Sequence, residues 1–216
     1  MDYLDIHTHN EQRLPGVRAI LSLSLTGDEV PEYPERDLAL GLHPWFAKPQ
    51  QLNSDYARLR EAAKLPHVKM IGECGLDRFK GPSLPEQTLI LRKQFELADE
   101  LQKPVILHCV RCFDELIALR KEMKLEIPMV LHGFNKKKEL GRQMQSLGFY
   151  LSFGKALLDA DSGAAALVRE GDVFFLESDH DEHRIEEIYE AAANLKNCSV
   201  EELKALIFAN WNQIIR

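Results

Sequence analysis

Eight short apolar runs constrain this chain more than any other feature. They fall at residues 3–9, 19–25, 38–43, 68–72, 105–109, 129–132, 149–153 and 173–178, each followed by a turn or polar cluster. Most are continuous in aliphatic and β-branched residues, the pattern of strands covered on both faces in a parallel sheet. Between the later runs the period becomes helical. Ser83 and Glu86 form a capping box ahead of Leu91, Phe95 and Ala98 on one face, and Phe113, Leu116 and Ile117 share a second stripe. Similar patterns cover 136–145, 162–169 and 185–195, and a Ser199–Glu202 box opens a last helix. This alternation predicts an α/β protein with a TIM-type (β/α)8 barrel.

The first third fits less well. About nine residues join the first two runs, and about a dozen rich in Pro and Glu join the next two, whereas a parallel crossover needs roughly a dozen or more. The expectation is a shortened barrel with helices missing on that side; an open α/β sheet is the alternative. The length of 216 residues suits one domain, 1–216, with no internal repeat or linker.

Composition excludes several classes. A net charge of −7 gives no basic footprint, which argues against a dedicated nucleic-acid binder. It leaves a nucleic-acid substrate open, because bound divalent ions supply positive charge locally. No signal region or membrane-length apolar run is visible, and four cysteines are too sparse for a disulfide scaffold. A cytoplasmic protein without membrane contact is expected.

The ends of the runs carry the chemistry. In Asp5-Ile6-His7-Thr8-His9, strand alternation points His7, His9 and the deeper Asp5 the same way. Glu73 follows the fourth run, His108 closes 104–108, His132 closes 129–132, and Glu177-Ser178-Asp179 follows the last apolar stretch. A lone strand-end histidine is more often an ordinary hydrogen-bonded residue, but in a barrel these ends converge on the face that holds the chemistry. His7, His9, Glu73, His108, His132 and Asp179 are too many for one tetrahedral ion. They suit two divalent ions sharing a carboxylate, with Glu73 the natural bridge and Zn²⁺, Mn²⁺ or Mg²⁺ all compatible.

In these stretches, together with Gly41-Leu42-His43-Pro44, Ile71-Gly72-Glu73-Cys74-Gly75-Leu76-Asp77, Leu131-His132-Gly133-Phe134 and Asn210, the chain resembles the TatD family of metal-dependent hydrolases. The matches run in family order over nearly the whole chain. The resemblance implies a phosphodiesterase, usually a deoxyribonuclease, with a two-metal-activated hydroxide as nucleophile. By the same resemblance His7, His9, Glu73 and Asp179 hold one ion, and Glu73, His108 and His132 the other. Glu73 and Asp179 are then the catalytic carboxylates, Asp179 handling the proton of the attacking water, and His43 lines the substrate side. The chain departs from the family in a short stretch between His9 and Gly41, and in Arg111, one residue further from His108 than usual. It departs again at Gly133-Phe134-Asn135-Lys136, and at His180-Asp181 in place of a small residue and proline.

Other residues carry competing readings. Arg78, Phe79 and Lys80 follow Asp77, and Trp45 and Phe46 follow His43; such mixtures suit phosphates and stacked bases, with Arg78 and Arg111 as substrate contacts, or equally loop packing. Cys109 and Cys112 suggest a redox pair but read better as packing residues, and the 136–138 lysines with Arg142 read better as a solvated face. The leading expectation is a phosphoester hydrolase acting on DNA or a short oligonucleotide. An amide or ester hydrolase (a deacylase) on the same barrel is the alternative, and a metal-binding or redox module without turnover the third reading.

Overall fold

The computed structural model describes residues 1–25, 33, 35–180 and 182–215. Its strands are β1 (Tyr3–Thr8), β2 (Val17–Ser24), β3 (Asp37–Gly41), β4 (Val68–Asp77), β5 (Val105–Val110), β6 (Met129–Leu131), β7 (Phe149–Phe153) and β8 (Phe175–Leu176). Its α-helices are α1 (Leu52–Ala62), α2 (Leu84–Leu101), α3 (Phe113–Met123), α4 (Lys138–Ser146), α5 (Gly163–Glu170), α6 (Ile185–Lys196) and α7 (Val200–Ile214). All eight predicted strands are present. No helix interrupts 9–16 between β1 and β2, as the short connection requires. Most of the β2–β3 connection, and Asp181, lie outside the described residues.

The chain divides into two compact units: Met1–Leu21 with Val130–Arg216, and Ser22–Met129. Strands β2 and β6 each run across a boundary. In the first unit β7 pairs in parallel with β8, and β1 in parallel with β2. A parallel bridge from Thr8 to Asp179 joins β1 to the segment leaving β8. Both faces of β1 are covered: Leu4 and Ile6 are buried on one side, Asp5 and His7 on the other. Helices α6 and α7 cover this unit from outside. The Tyr189 hydroxyl donates to Leu4 O (3.0 Å) and accepts the Leu4 N–H (3.2 Å), while Asn210 donates to Asp172 O (2.7 Å) and Phe174 O (3.0 Å). Asn210 is thus a pin that holds the approach to β8.

In the second unit β4 pairs in parallel with β3 and with β5. The reading that ended this strand at Gly72 is corrected: β4 continues to Asp77, so Glu73 lies inside it. Glycine suggested a turn, but here it permits close approach. A Cβ on Gly75 (φ +151°) would lie 1.9 Å from His108 O on β5. Helix α2 opens at the predicted capping box and buries Ile90, Leu91, Phe95 and Ala98. Its buried stripe also carries Gln87 and Gln94, which fix the loops beside the site. Gln94 accepts the Leu42 N–H (2.7 Å), and its amide donates to Leu42 O (3.1 Å).

Candidate metal centre

In the first unit His7 and His9 alternate with Thr8 to one side of β1, and Asp179 meets them from the bridge. The Asp179 N–H donates to His7 O (3.0 Å) and the His9 N–H to Asp179 O (3.1 Å), with Asp179 held at φ +53°. This places Asp179 Oδ1 3.5 Å from His7 Nε2 and 3.8 Å from His9 Nε2. His132 packs its ring 4.2 Å from that of His7, and its Nδ1 lies 3.5 Å from Glu177 Oε1. The donor atoms of His7, His9 and Asp179 lie within 4.8 Å of one another, as do those of His132, Glu177 and Asp179. Bonds of ~2.0–2.2 Å to one ion set neighbouring donors roughly 3.3 Å apart, so this spacing fits divalent coordination.

Two further features favour a cation here. Glu177 is 1% exposed; its Oε1 accepts the Gly133 N–H (2.6 Å), and its Oε2 has no hydrogen-bond partner among the described residues. A buried, half-satisfied carboxylate costs free energy unless positive charge meets it. Beneath the histidines, Asp5 accepts the Ser178 hydroxyl (2.6 Å) and backbone N–H (3.1 Å), and the Ser178 hydroxyl also lies 2.9 Å from Thr8 Oγ1. Burial pushes the Asp5 carboxyl up to about 7 against the lowering pull of those Ser178 bonds.

The second unit carries its own cluster. Glu73 Oε1 lies 3.0 Å from His43 Nε2 and 2.8 Å from His108 Nδ1, and all three side chains are buried. These three residues also offer donor atoms within 4.8 Å of one another. His108 Nε2 lies 3.3 Å from Asp77 Oδ2, which accepts the Trp45 indole N–H at 2.6 Å. The Trp45 backbone N–H donates to His43 Nδ1 (3.1 Å), which leaves His43 Nε2 to carry the proton toward Glu73. Burial alone raises the Asp77 carboxyl, but the Phe79 N–H, the Trp45 indole and His108 together hold it below its ordinary value.

Of the six expected ligands, His7, His9, His132 and Asp179 assemble on the first unit, and Glu73 and His108 on the second with His43. Sequence reasoning placed His43 on the substrate side and gave no role to Asp77 or Glu177. The signal for those two was present, since both stand in quoted motifs at strand ends. The Arg78 guanidinium is engaged by Arg111 O (2.9 Å) and the Glu115 carboxylate, which draws it onto α3. Arg111 is exposed at φ +58° just past β5. Burial pushes the Cys112 thiol up, against a reactive thiolate. Lys138 and Arg142 pair with Glu170 (3.0 and 2.7 Å), as on a solvated face.

Parallel strands alternating with helices, together with imidazole–carboxylate clusters suited to divalent metals, define the class of protein. Comparison with known proteins gives the family. The model of the TatD related DNase family matches residues 27–216, and the chain belongs to that family. It is 32% identical over 127 residues to the uncharacterized metal-dependent hydrolase YabD of Bacillus subtilis, covering 58% of this chain and 49% of YabD. It is 32% identical over 166 residues to the 3'-5' ssDNA/RNA exonuclease TatD of Klebsiella pneumoniae, covering 70% of this chain and 60% of that protein. The chain thus spans about half the length of the curated relatives it matches. Among solved structures, the TatD homolog YJJV of Escherichia coli K12 aligns with a TM-score of 0.81 at 21% identity, covering 99% of this chain and 97% of YJJV. A TatD family hydrolase from Entamoeba histolytica aligns with a TM-score of 0.77 at 15% identity, covering 99% and 98%. This likeness shows the fold, a TIM-type α/β barrel, as the sequence predicts.

Proposed function

We propose that the chain is a divalent-metal-dependent phosphodiesterase acting on nucleic acid or a short oligonucleotide. The observation that carries this reading is the His7–His9–Asp179 cluster, whose donors stand at coordination spacing in a chain of the TatD family. Two ions are proposed, from Zn²⁺, Mn²⁺ or Mg²⁺, with Glu73 as the shared carboxylate on the strength of the family resemblance. Such ions supply Lewis acidity toward a water and toward the phosphoryl oxygens.

The protein's own groups do the remaining work. Asp179, with its side chain 38% exposed, orients the attacking water and takes its proton at Oδ. As the water oxygen bonds to phosphorus, the P–O ester bond breaks and the leaving alkoxide takes up a proton. His43 and His108 hold the Glu73 carboxylate in place, and Asp77 fixes the His108 ring. Arg111 stands in this reading as a phosphate contact beyond β5. The Klebsiella relative's name, an exonuclease for single-stranded DNA and RNA, supports the substrate class.

The chain is proposed to work as one domain, because both unit boundaries fall inside strands rather than in linkers. Among the described residues no helix is long and apolar enough to cross a membrane. A cytoplasmic setting is proposed on the thiols of Cys74, Cys112 and Cys198, which form no disulfide. The test is metal content by elemental analysis together with turnover of bis(p-nitrophenyl) phosphate by wild type and Glu73→Ala. Near two ions per chain, with metal and turnover both lost in the variant, is the expected result. Turnover of acyl substrates alone would reverse the order of the phosphodiesterase and deacylase readings.

A further inference from the structure

A groove of about 650 Å³ opens on the second unit beside Trp45, Phe46, Lys48, Pro49, Pro82 and Glu86. It adjoins the Glu73 cluster through Trp45, which donates from its backbone to His43 and from its indole to Asp77. Among the described residues the exposed aromatic side chains are Phe46 (54%) and Phe79 (73%). Both stand on the loops that leave β3 and β4, the loops that carry His43 and the Trp45–Asp77 contact. The Phe46 ring packs 5.2 Å from the His43 ring and 6.1 Å from Trp45, yet over half of it stays exposed, offering a flat apolar face beside the cluster.

The surrounding charge says what that partner is. The Lys80 ammonium lies 3.9 Å above the Trp45 ring, and Lys48 lines the groove. The single carboxylate in the lining, Glu86, is engaged at the α2 cap, where it accepts the Ser83 N–H (2.9 Å) and hydroxyl (2.6 Å). The loops are also pre-set. A Cβ on Gly81 (φ +88°) would lie 2.1 Å from Pro44 O, so the two loops touch backbone to backbone. Gln87 ties the second loop by donating to the carbonyls of Asp77 (2.9 Å), Lys80 (2.9 Å) and Pro82 (2.8 Å).

We propose that this groove is a nucleobase subsite, in which one unpaired base of a single-stranded nucleic acid stacks on Phe46 while Lys48 and Lys80 draw the adjoining phosphate. The proposal rests on the phosphodiesterase reading of the neighbouring cluster and adds where a flanking nucleotide sits. One face of Trp45 is covered by Lys80, which leaves Phe46 as the stacking platform. A ring accepts the π-face of any base, so the subsite is indifferent to sequence and closed to paired bases. Two lysines are few, and a chain of net charge −7 holds a long polyanion weakly. The subsite therefore reads a single nucleotide rather than a long strand.

The test is titration of the protein in EDTA with a thymidine tetranucleotide, followed by Trp45 fluorescence. The other tryptophan, Trp211, is 1% exposed and serves as a constant background. Saturable quenching is expected, weakened about tenfold in Phe46→Ala and restored in Phe46→Tyr. The slope of log K against log salt is expected near −0.7, for one phosphate contact on a single strand. An abasic tetranucleotide that binds as tightly as the thymidine one, or equal affinity in Phe46→Ala and wild type, overturns the proposal. Binding of an aromatic tetrapeptide in place of the oligonucleotide gives the groove to a protein partner and overturns it too. Turnover of bis(p-nitrophenyl) phosphate by the wild type, a diester without a base, is read separately. Quenching without turnover leaves the subsite and removes the catalytic reading; turnover without quenching does the reverse.

Discussion

The two clusters are built from the same residue types and held in opposite ways. On the second unit, Glu73 Oε1 lies within hydrogen-bond distance of both His43 and His108, and His108 also reaches Asp77. These donors and acceptors satisfy one another. On the first unit, the His7, His9 and His132 nitrogens stand 3.5–3.8 Å from their carboxylate oxygens, beyond ordinary hydrogen bonding. Backbone hydrogen bonds through Asp179 and ring packing of His7 with His132 also hold these side chains. The first cluster keeps a buried carboxylate oxygen, Glu177 Oε2, for a cation to meet, whereas a cation entering the second must replace hydrogen bonds already made. Position in a strand does not reveal this difference; it depends on which neighbours each side chain meets.

Five substitutions break or sharpen this contrast. The largest effect is expected for Asp179→Asn, which keeps the side-chain shape but removes the charge at the first cluster. Turnover of bis(p-nitrophenyl) phosphate should fall by about 10²–10⁴, and a fall under tenfold would move the proton-handling role elsewhere. Next come the pins behind each site. Gln87→Leu orphans one N–H and three carbonyls, and should lower unfolding free energy by about 3 kcal/mol in urea titration. Asn210→Leu, which strands two carbonyls, should cost about 2 kcal/mol. A reversed order would mean that the first unit depends more on its pin than its hydrogen bonds indicate. Asp77→Asn should weaken Zn²⁺ binding at the second cluster about 10–100-fold. His7 and His9 resonances in a histidine NMR titration should keep their own midpoint; a shared loss would show that the clusters are not separable. The smallest effect belongs to Arg78→Ala. Its exposed ion pair with Glu115 contributes about 0–1 kcal/mol, and turnover should change less than threefold. A tenfold loss would support Arg78 as a substrate contact.

The strands were legible because strands covered on both faces are written as unbroken aliphatic runs. The helices with capping boxes were legible for an equally local reason. Where local pattern and tertiary need diverged, the reading failed. Helix α1 escaped notice because its buried stripe, Leu52, Asp55, Leu59 and Ala62, includes a carboxylate that pairs with Arg58 at 2.6 Å. Strand β4 was cut short because Gly72 and Gly75 resemble a turn until β5 is seen to press against them. The clustering of His7, His9 and Asp179 was legible from the sequence, since strand alternation points His7 and His9 the same way. The sharing of Glu73 between His43 and His108, and the capture of Arg78 by Glu115, were not. Each joins residues some thirty positions apart or more, and no spacing rule connects them.

The division of the chain also has a consequence for biosynthesis. The second unit is one continuous stretch, Ser22–Met129, whereas the first is assembled from Met1–Leu21 and Val130–Arg216. The Asp5–Ser178 and Leu4–Tyr189 hydrogen bonds close loops of more than 170 residues. On a ribosome adding about 5–20 residues per second, the whole of Ser22–Met129 has been made before residue 130 is added. Strand β1 pairs early with β2, but its hydrogen bonds to Ser178 and Tyr189 close only after those residues are made. The residues that would grip the first ion are thus made about 170 residues apart, and arrest-peptide force measurements should register Ser22–Met129 folding before the Asp5–Ser178 contact closes.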